Sequence, residues 1–243
     1  MSDMIYGRNA VTEGLKSGRS FNKIVVSLGN VGSGIKEITE LAKERGVLVE
    51  RAEAKKLDKL AKGGRHQGVV GFVSPIEYYE VEDIIKIAKD KGEAPFLLLL
   101  DEITDPHNLG AIIRSAEAMG AHGVLLPKRR SAPVNETVAK TSAGAVNYMP
   151  IAMIGNMVQT VEKLKEYGFW TIGADMEGTT SESVDLKLPV LLVIGSEGKG
   201  ISRLLKEKLD YLIKIPMKGK VNSLNASVAA GILIYEVMRR RSL

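Results

Sequence analysis

The 243-residue sequence predicts an α/β protein in two parts, a small N-terminal α/β unit and a larger one built on a mainly parallel sheet. Three observations carry that prediction. From residue 8 to 73, short β-branched runs alternate with amphipathic stretches of helical period. A charged segment with proline at both ends, "SPIEYYEVEDIIKIAKDKGEAP", then interrupts the alternation. From Phe96 the pattern resumes with continuous apolar runs, as expected of strands covered on both faces. The boundaries expected are 1–75 for the first domain, 76–94 for a linker and 95–243 for the second domain.

In the first domain, helices are expected at "RNAVTEGLK", "IKEITELAKERG" and "KKLDKLAK", with strands at "KIVVS", "VLVER" and "GVVGFV". The linker holds one amphipathic helical segment. In the second domain the strands are "FLLLLD", "GVLLP", "FWTIGA", "VLLVIG" and "YLIKIP". Between them lie helical stretches such as "LGAIIRSAEAMG", "MVQTVEKLKEYG" and "SRLLKEKL", and "VAAGILIYEVMRRR" closes the chain. Alternation of this kind builds an open parallel sheet with helices on both sides. Ligands of such sheets bind beyond the carboxyl ends of the strands, so the loops that follow strands are where chemistry is expected.

Composition narrows the function. A hydrophobic content of 44% over this length can bury a full core. With no cysteine there is no disulfide, no thiolate nucleophile and no Cys-ligated zinc. His66, His107 and His122 show no metal-ligand spacing, so no metal is expected. The longest apolar run, "FLLLL", is too short to span a bilayer, and a soluble, cytoplasmic protein is expected. The net charge of +5 is lopsided: residues 1–75 hold 13 Lys and Arg against 8 Asp and Glu, while the remainder balances at 21 of each. Solvated helix faces can explain that surplus, and so can a basic module that contacts a polyanion. Aromatic residues make up only 5%, and no run interleaves rings with Lys or Arg. Base stacking on a single strand is therefore not signalled.

Three loops after strands stand out. In "DEITDPHNLGAIIR", Asn108 reads as an N-cap or a ligand contact for a helix starting near Leu109, and Arg114, in its second turn, reads as a surface ion pair or an anion-binding group. In "VIGSEGKGIS", three glycines let backbone approach a ligand closely. Gly195-x-x-Gly198-Lys199-Gly200 is too short for a Walker A loop and lacks the hydroxyl after lysine, and no G-x-G-x-x-G follows a strand, which excludes the ordinary nucleotide folds. Glu197 reads either as the acidic first turn of the next helix or as part of a site. In "KGKVNSLNAS", Asn225 can cap the last helix, which leaves Asn222 and Ser223 for a ligand.

Taken together, Asn108-x-Gly110-x-x-x-Arg114, "IGSEGKGIS" and "IPMKGKVNSLNASVAAGILIYE" resemble, in order and spacing, the three signature motifs of SpoU-type ribose 2′-O-methyltransferases of the SPOUT superfamily. "YGRNAVTEGLKSG" and "RHQGVVGFV" are similar to the RNA-binding domain of the branch that methylates a guanosine in 23S ribosomal RNA, so nearly the whole chain is covered. The resemblance implies a trefoil-knotted C-terminal domain, an N-terminal domain like ribosomal protein L30e, a homodimer, S-adenosylmethionine as cofactor, ribosomal RNA as partner, and neither membrane nor metal. It implies catalytic or RNA-contacting roles for Asn108, Arg114, Glu197, Ser223 and Asn225. It implies cofactor contacts at Ala174, Gly195, Ile215, Met217 and Leu224. For Arg114 two roles stay open, proton acceptor or forked clamp on the target phosphate, because a guanidinium holds its proton at neutral pH. Transfer RNA as substrate, and a non-catalytic RNA-binding or ribosome assembly factor, are the alternatives.

Overall fold

A computed structural model describes residues 4–29, 32–220 and 223–242. It divides into two compact units, residues 1–77 with 133–136, and residues 78–132 with 137–243.

The first unit runs β1 (Met4–Tyr6), α1 (Arg8–Lys16), β2 (Phe21–Ser27), α2 (Ser33–Glu44), β3 (Val49–Ala52), α3 (Ala54–Ala61) and β4 (Val69–Val73). Its sheet has the order β1-β4-β2-β3, with β2 and β3 parallel and β4 antiparallel to both its neighbours. Val11 and Leu15 of α1 and Ile35, Ile38 and Ala42 of α2 repeat at helical spacing and are buried with Ile24 and Val26 of β2. Leu57 of α3 is buried with Val25 and Val70 on the other face. Alternate residues of β2 thus feed two apolar layers.

The second unit begins with α4 (Val81–Asp90), inside the stretch expected as a linker. Its apolar face explains its place: Ile84, Ile85 and Ala88 are buried, and Ile84 and Ile85 belong to this unit's core. There follow β5 (Phe96–Leu100), α5 (Pro106–Ala118), β6 (Gly123–Pro127), α6 (Glu136–Thr141), β7 (Ile151–Ile154), α7 (Met157–Glu166), β8 (Trp170–Thr179), β9 (Val190–Ile194), α8 (Arg203–Lys206), β10 (Tyr211–Ile213) and α9 (Ala226–Arg241). The last six strands form one parallel sheet in the order β10-β8-β9-β5-β6-β7. Leu97 and Leu99 of β5, with Leu191 and Val193 of β9, join the core cluster that includes Val161 and Leu164 of α7 and Leu205 of α8. Phe96, Leu98 and Leu100 point the other way and are buried as well. Both faces are covered, which is why these strands read as unbroken apolar runs.

Sequence reading missed β1, β7 and α6. It also placed the start of α5 too late. Asp105, not Asn108, is the N-cap of that helix and accepts the His107 N–H at 3.0 Å, with Pro106 as the first helical residue. Arg114 is consequently in the third turn. Glu197 is not in the first turn of α8, which starts only at Arg203.

Candidate functional site

The ends of β8, β9 and β10 and the start of α9 enclose a pocket of about 500 Å³. The loop after β9 closes on itself: Ser196 and Gly200 exchange both backbone hydrogen bonds, at 3.1 and 2.9 Å, with Gly198 and Gly200 at positive φ. Gly195 sits where a Cβ would fall 2.1 Å from the Gly200 carbonyl carbon, so no side chain fits there. Asp101, at the end of β5, fixes the far side of the loop. Its Oδ2 accepts the Ser202 N–H at 2.7 Å, while its buried Oδ1 has no partner among the described residues.

Gly195 and Glu197 line this pocket, together with Ala174 from β8. Ile215, Met217, Ser223 and Leu224 line it from the segment between β10 and α9. Asn222 lies outside the described residues.

Glu197 is the meeting point of three remote segments. Its Oε1 accepts from Asn108 Nδ2 at 3.3 Å, from the Ala226 N–H at 3.1 Å, and from Asn225 Nδ2. Asn225 Nδ2 also donates to Asn108 Oδ1 at 3.0 Å. The Oδ1 of Asn225 faces the other way and caps α9, accepting the Ser227 and Val228 N–H groups at 2.9 and 3.3 Å. Asn108, Glu197 and Asn225 therefore form one hydrogen-bonded cluster at the pocket's edge. Arg114 does not belong to it. It is exposed on α5, about 9 Å further along the helix axis than Asn108 at 1.5 Å per residue, and has no ion pair among the described residues.

Charged pocket residues escaped sequence reading. β8 pairs with β10 through Ile172 and Gly173, and then resumes only at Thr179. The intervening residues bulge out of register, and Asp175, Met176 and Glu177 line the pocket with Lys206 of α8. Lys206 Nζ lies 2.9 Å from Asp175 and 3.1 Å from Glu177. Burial pushes the Asp175 carboxyl up, but the hydrogen bonds from Lys206 and the Glu177 N–H, with the lysine's charge, outweigh it and hold Asp175 below the usual carboxylate range. The signal available was chemical: "GADMEGT" puts two carboxylates directly after a buried strand.

Comparisons with known proteins identify the family. A family model described as the SpoU rRNA Methylase family matches residues 95–235, and one described as RNA 2′-O ribose methyltransferase substrate binding matches residues 4–79. The chain belongs to the SpoU rRNA methylase family. A Bacillus subtilis protein named for the TrmH family of tRNA/rRNA methyltransferases is 49% identical over 99% of this chain and 96% of its own length. A similarly named protein of Staphylococcus haemolyticus is 45% identical over 98% of this chain and 96% of its own. Among solved structures, the SpoU methyltransferase AviRb of Streptomyces viridochromogenes in complex with AdoMet superposes with a TM-score of 0.61 at 25% identity, covering 98% of this chain and 90% of that one. An AdoMet-bound rRNA methyltransferase of Sinorhizobium meliloti gives 0.61 at 26%, covering 97% and 86%.

This member of the family is an RNA methyltransferase, and S-adenosylmethionine is its cofactor. The residues present fit that molecule. Ile194, Ile215, Met217 and Leu224 offer apolar surface to a heteroaromatic ring, and the Asp175–Lys206–Glu177 set offers both signs of charge to a zwitterionic amino-acid end. Among the described residues no group of three His, Asp or Glu is placed to hold a metal, and no helix is long and apolar enough to cross a membrane.

Proposed function

We propose that the protein methylates a ribose 2′-hydroxyl, that of a guanosine in 23S ribosomal RNA. The observation that carries this reading is the Asn108–Glu197–Asn225 cluster, which ties the three loops picked out in the sequence to one edge of the cofactor pocket. S-adenosylmethionine supplies an electrophilic methyl group on its sulfonium. Transfer to a hydroxyl is an in-line displacement, so the protein's work is to align the acceptor, exclude water and take up one proton. Fixing the acceptor can supply roughly 7 kcal/mol or more of the barrier reduction in well-oriented cases.

In this reading Gly195, Ile215, Met217 and Leu224, with Ala174, hold the cofactor. Asn108 and Asn225 fix the geometry of the loops that receive the ribose. Glu197 orients both amides, and Ser223 offers its hydroxyl to ribose or cofactor. Arg114, unpaired on its own chain among the described residues, clamps the target phosphate with its fork or accepts the 2′-hydroxyl proton.

The protein works as a homodimer in the cytoplasm. Val228, Ile232 and Tyr235 of α9 recur at helical spacing and are 49%, 42% and 49% exposed, a stripe that a second copy would cover. A knotted path of the chain around the cofactor loop belongs to the same reading. Transfer RNA remains the second substrate reading, because the curated relatives are named for both RNAs. Mapping 2′-O-methyl marks in cells with and without this protein separates the two. Loss of a single ribosomal guanosine mark is expected, whereas loss of a transfer-RNA mark alone would replace the ribosomal assignment.

A further inference from the structure

In the first unit, one end of the four-stranded sheet carries an aromatic ring that the core does not use. Tyr6, the last residue of β1, pairs with Val70 of β4 and is 43% exposed. Its ring lies against the backbone of Gly64: a Cβ at Gly64 would fall 2.4 Å from Tyr6 Cε2 and 2.5 Å from Cζ. Any other residue at 64 would push the ring away. The glycine therefore gives the ring room to lie close against the loop, and the side chain keeps 43% of its surface exposed. Its hydroxyl has no partner among the described residues.

The surroundings of that ring are rigid and basic. Gly7 N–H donates to Val69 O at 3.2 Å, which continues the pairing of β1 past Tyr6. Arg8 is held against the α3–β4 loop by two bonds, its N–H to Gln67 Oε1 at 3.0 Å and its Nε to Gln67 O at 3.2 Å. Gln67 itself adopts φ 52, a conformation that residues other than glycine rarely take. His66 Nδ1 accepts the Gly68 N–H at 3.0 Å, so its Nε2–H is directed at Asp58 Oδ1, 2.9 Å away. Lys62, Arg65 and Gln67 are exposed in the same stretch of chain as Gly64, whose backbone meets the ring. The loop that frames Tyr6 is thus fastened at three consecutive residues, 66, 67 and 68, and presents cations outward.

We propose that Tyr6 is a stacking platform for one unpaired base of the RNA substrate, with Arg65 and Lys62 on the flanking phosphates. The inference rests on the RNA-substrate reading above and adds the element of RNA that the first unit grips. A preordered ring loses little entropy on stacking, and stacking tolerates any base because every base has a π-face. An unpaired base is required because bases inside an A-form helix have both faces covered. A protein partner fits less well: Tyr6 and Leu28 are the large apolar side chains exposed at this end of the sheet, and the loop whose Gly64 meets the ring carries the exposed Lys62 and Arg65. Sequence reading found no such signal because ring and arginine are brought together from opposite ends of the unit.

The test uses the full-length protein and 23S ribosomal RNA from cells lacking it, with binding measured over a range of salt. Tyr6→Ala is expected to weaken binding about tenfold while leaving the slope of log K against log salt unchanged, since stacking releases no counterions. Tyr6→Phe should bind within about threefold of wild type, and Arg65→Ala should lower the slope by about one. Unchanged melting and S-adenosylmethionine binding show that each variant is folded. Wild-type affinity in Tyr6→Ala, or equal loss in Tyr6→Ala and Tyr6→Phe, overturns the stacking role. If instead the wild-type protein binds this RNA no better than a duplex of equal mass, the substrate reading fails and the platform fails with it.

Discussion

Asn225 Nδ2 lies 3.0 Å from Asn108 Oδ1, joining two side chains 117 positions apart in sequence. The same side chain works with both of its ends, the oxygen capping α9 and the nitrogen tying the loops. Asn225→Asp separates the two. Aspartate caps as well as asparagine, so thermal unfolding should report stability within about 1 kcal/mol of wild type. The lost donor and the new charge beside Glu197 should cut methyl transfer at least about tenfold. Asn225→Ala should lose the cap as well, at a cost of about 1 kcal/mol. Wild-type turnover in Asn225→Asp would show that the cluster is only a helix terminus.

Arg114→Lys keeps the charge and removes the fork. Both roles open to Arg114 need that fork, as a two-point grip on phosphate or as a poised acceptor, and a lysine supplies only a point charge. Turnover below about a tenth of wild type is expected in a methyl-transfer assay, with cofactor binding intact. Higher turnover would remove Arg114 from both roles.

Buried deeper, Asp101 holds the end of the loop after β9 through the Ser202 N–H. Asp101→Ala leaves that N–H without its acceptor and should cost about 1–3 kcal/mol in denaturant unfolding. The KM for S-adenosylmethionine should rise with it. Asp101→Asn keeps an acceptor and should cost less; an equal loss in both would mean that the charge, not the hydrogen bond, matters.

Stability should also depend on His122. Its Nδ1 accepts the Phe96 N–H at 3.0 Å, so the neutral ring directs Nε2–H at Glu93, 2.9 Å away. Burial lowers the pKa of this imidazole, and the opposing pull of Glu93 does not restore it. A histidine depressed in the folded state stabilises fully above its ordinary value of 6.5, and that stability is lost as pH falls from there through the folded pKa. The stability gap between wild type and His122→Gln should therefore be widest above pH ~6.5 and narrow below it. A gap that widens on acidification would contradict the neutral assignment.

Much of this was legible in sequence, and the failures have physical causes. β5, β6 and β9 announce themselves because burial on both faces demands unbroken apolar runs. α1 and α7 do so through their helical spacing. β1 is three residues long, too short to show alternation, and exists because β4 offers it a partner. The end of β8 is rich in Asp, Glu and Gly, which strands disfavour, and between Gly173 and Thr179 it leaves the register with β10. Asn108 looked like a cap because it precedes an apolar run, but Asp105 and Pro106 form the stronger start signal. Segments that look like independent loops met in one cluster only because the parallel sheet gathers their ends, a relationship no local window contains.

Calorimetric titration with S-adenosylmethionine tests the central claim, that the cofactor lies where the loop after β9 meets the start of α9. Saturable binding is expected for wild type and for Arg114→Lys, and its loss in Leu224→Arg, whose side chain would fill the pocket, with the melting temperature of that variant confirming that it is folded. No binding to wild type at millimolar cofactor, or undiminished binding to Leu224→Arg, would contradict it.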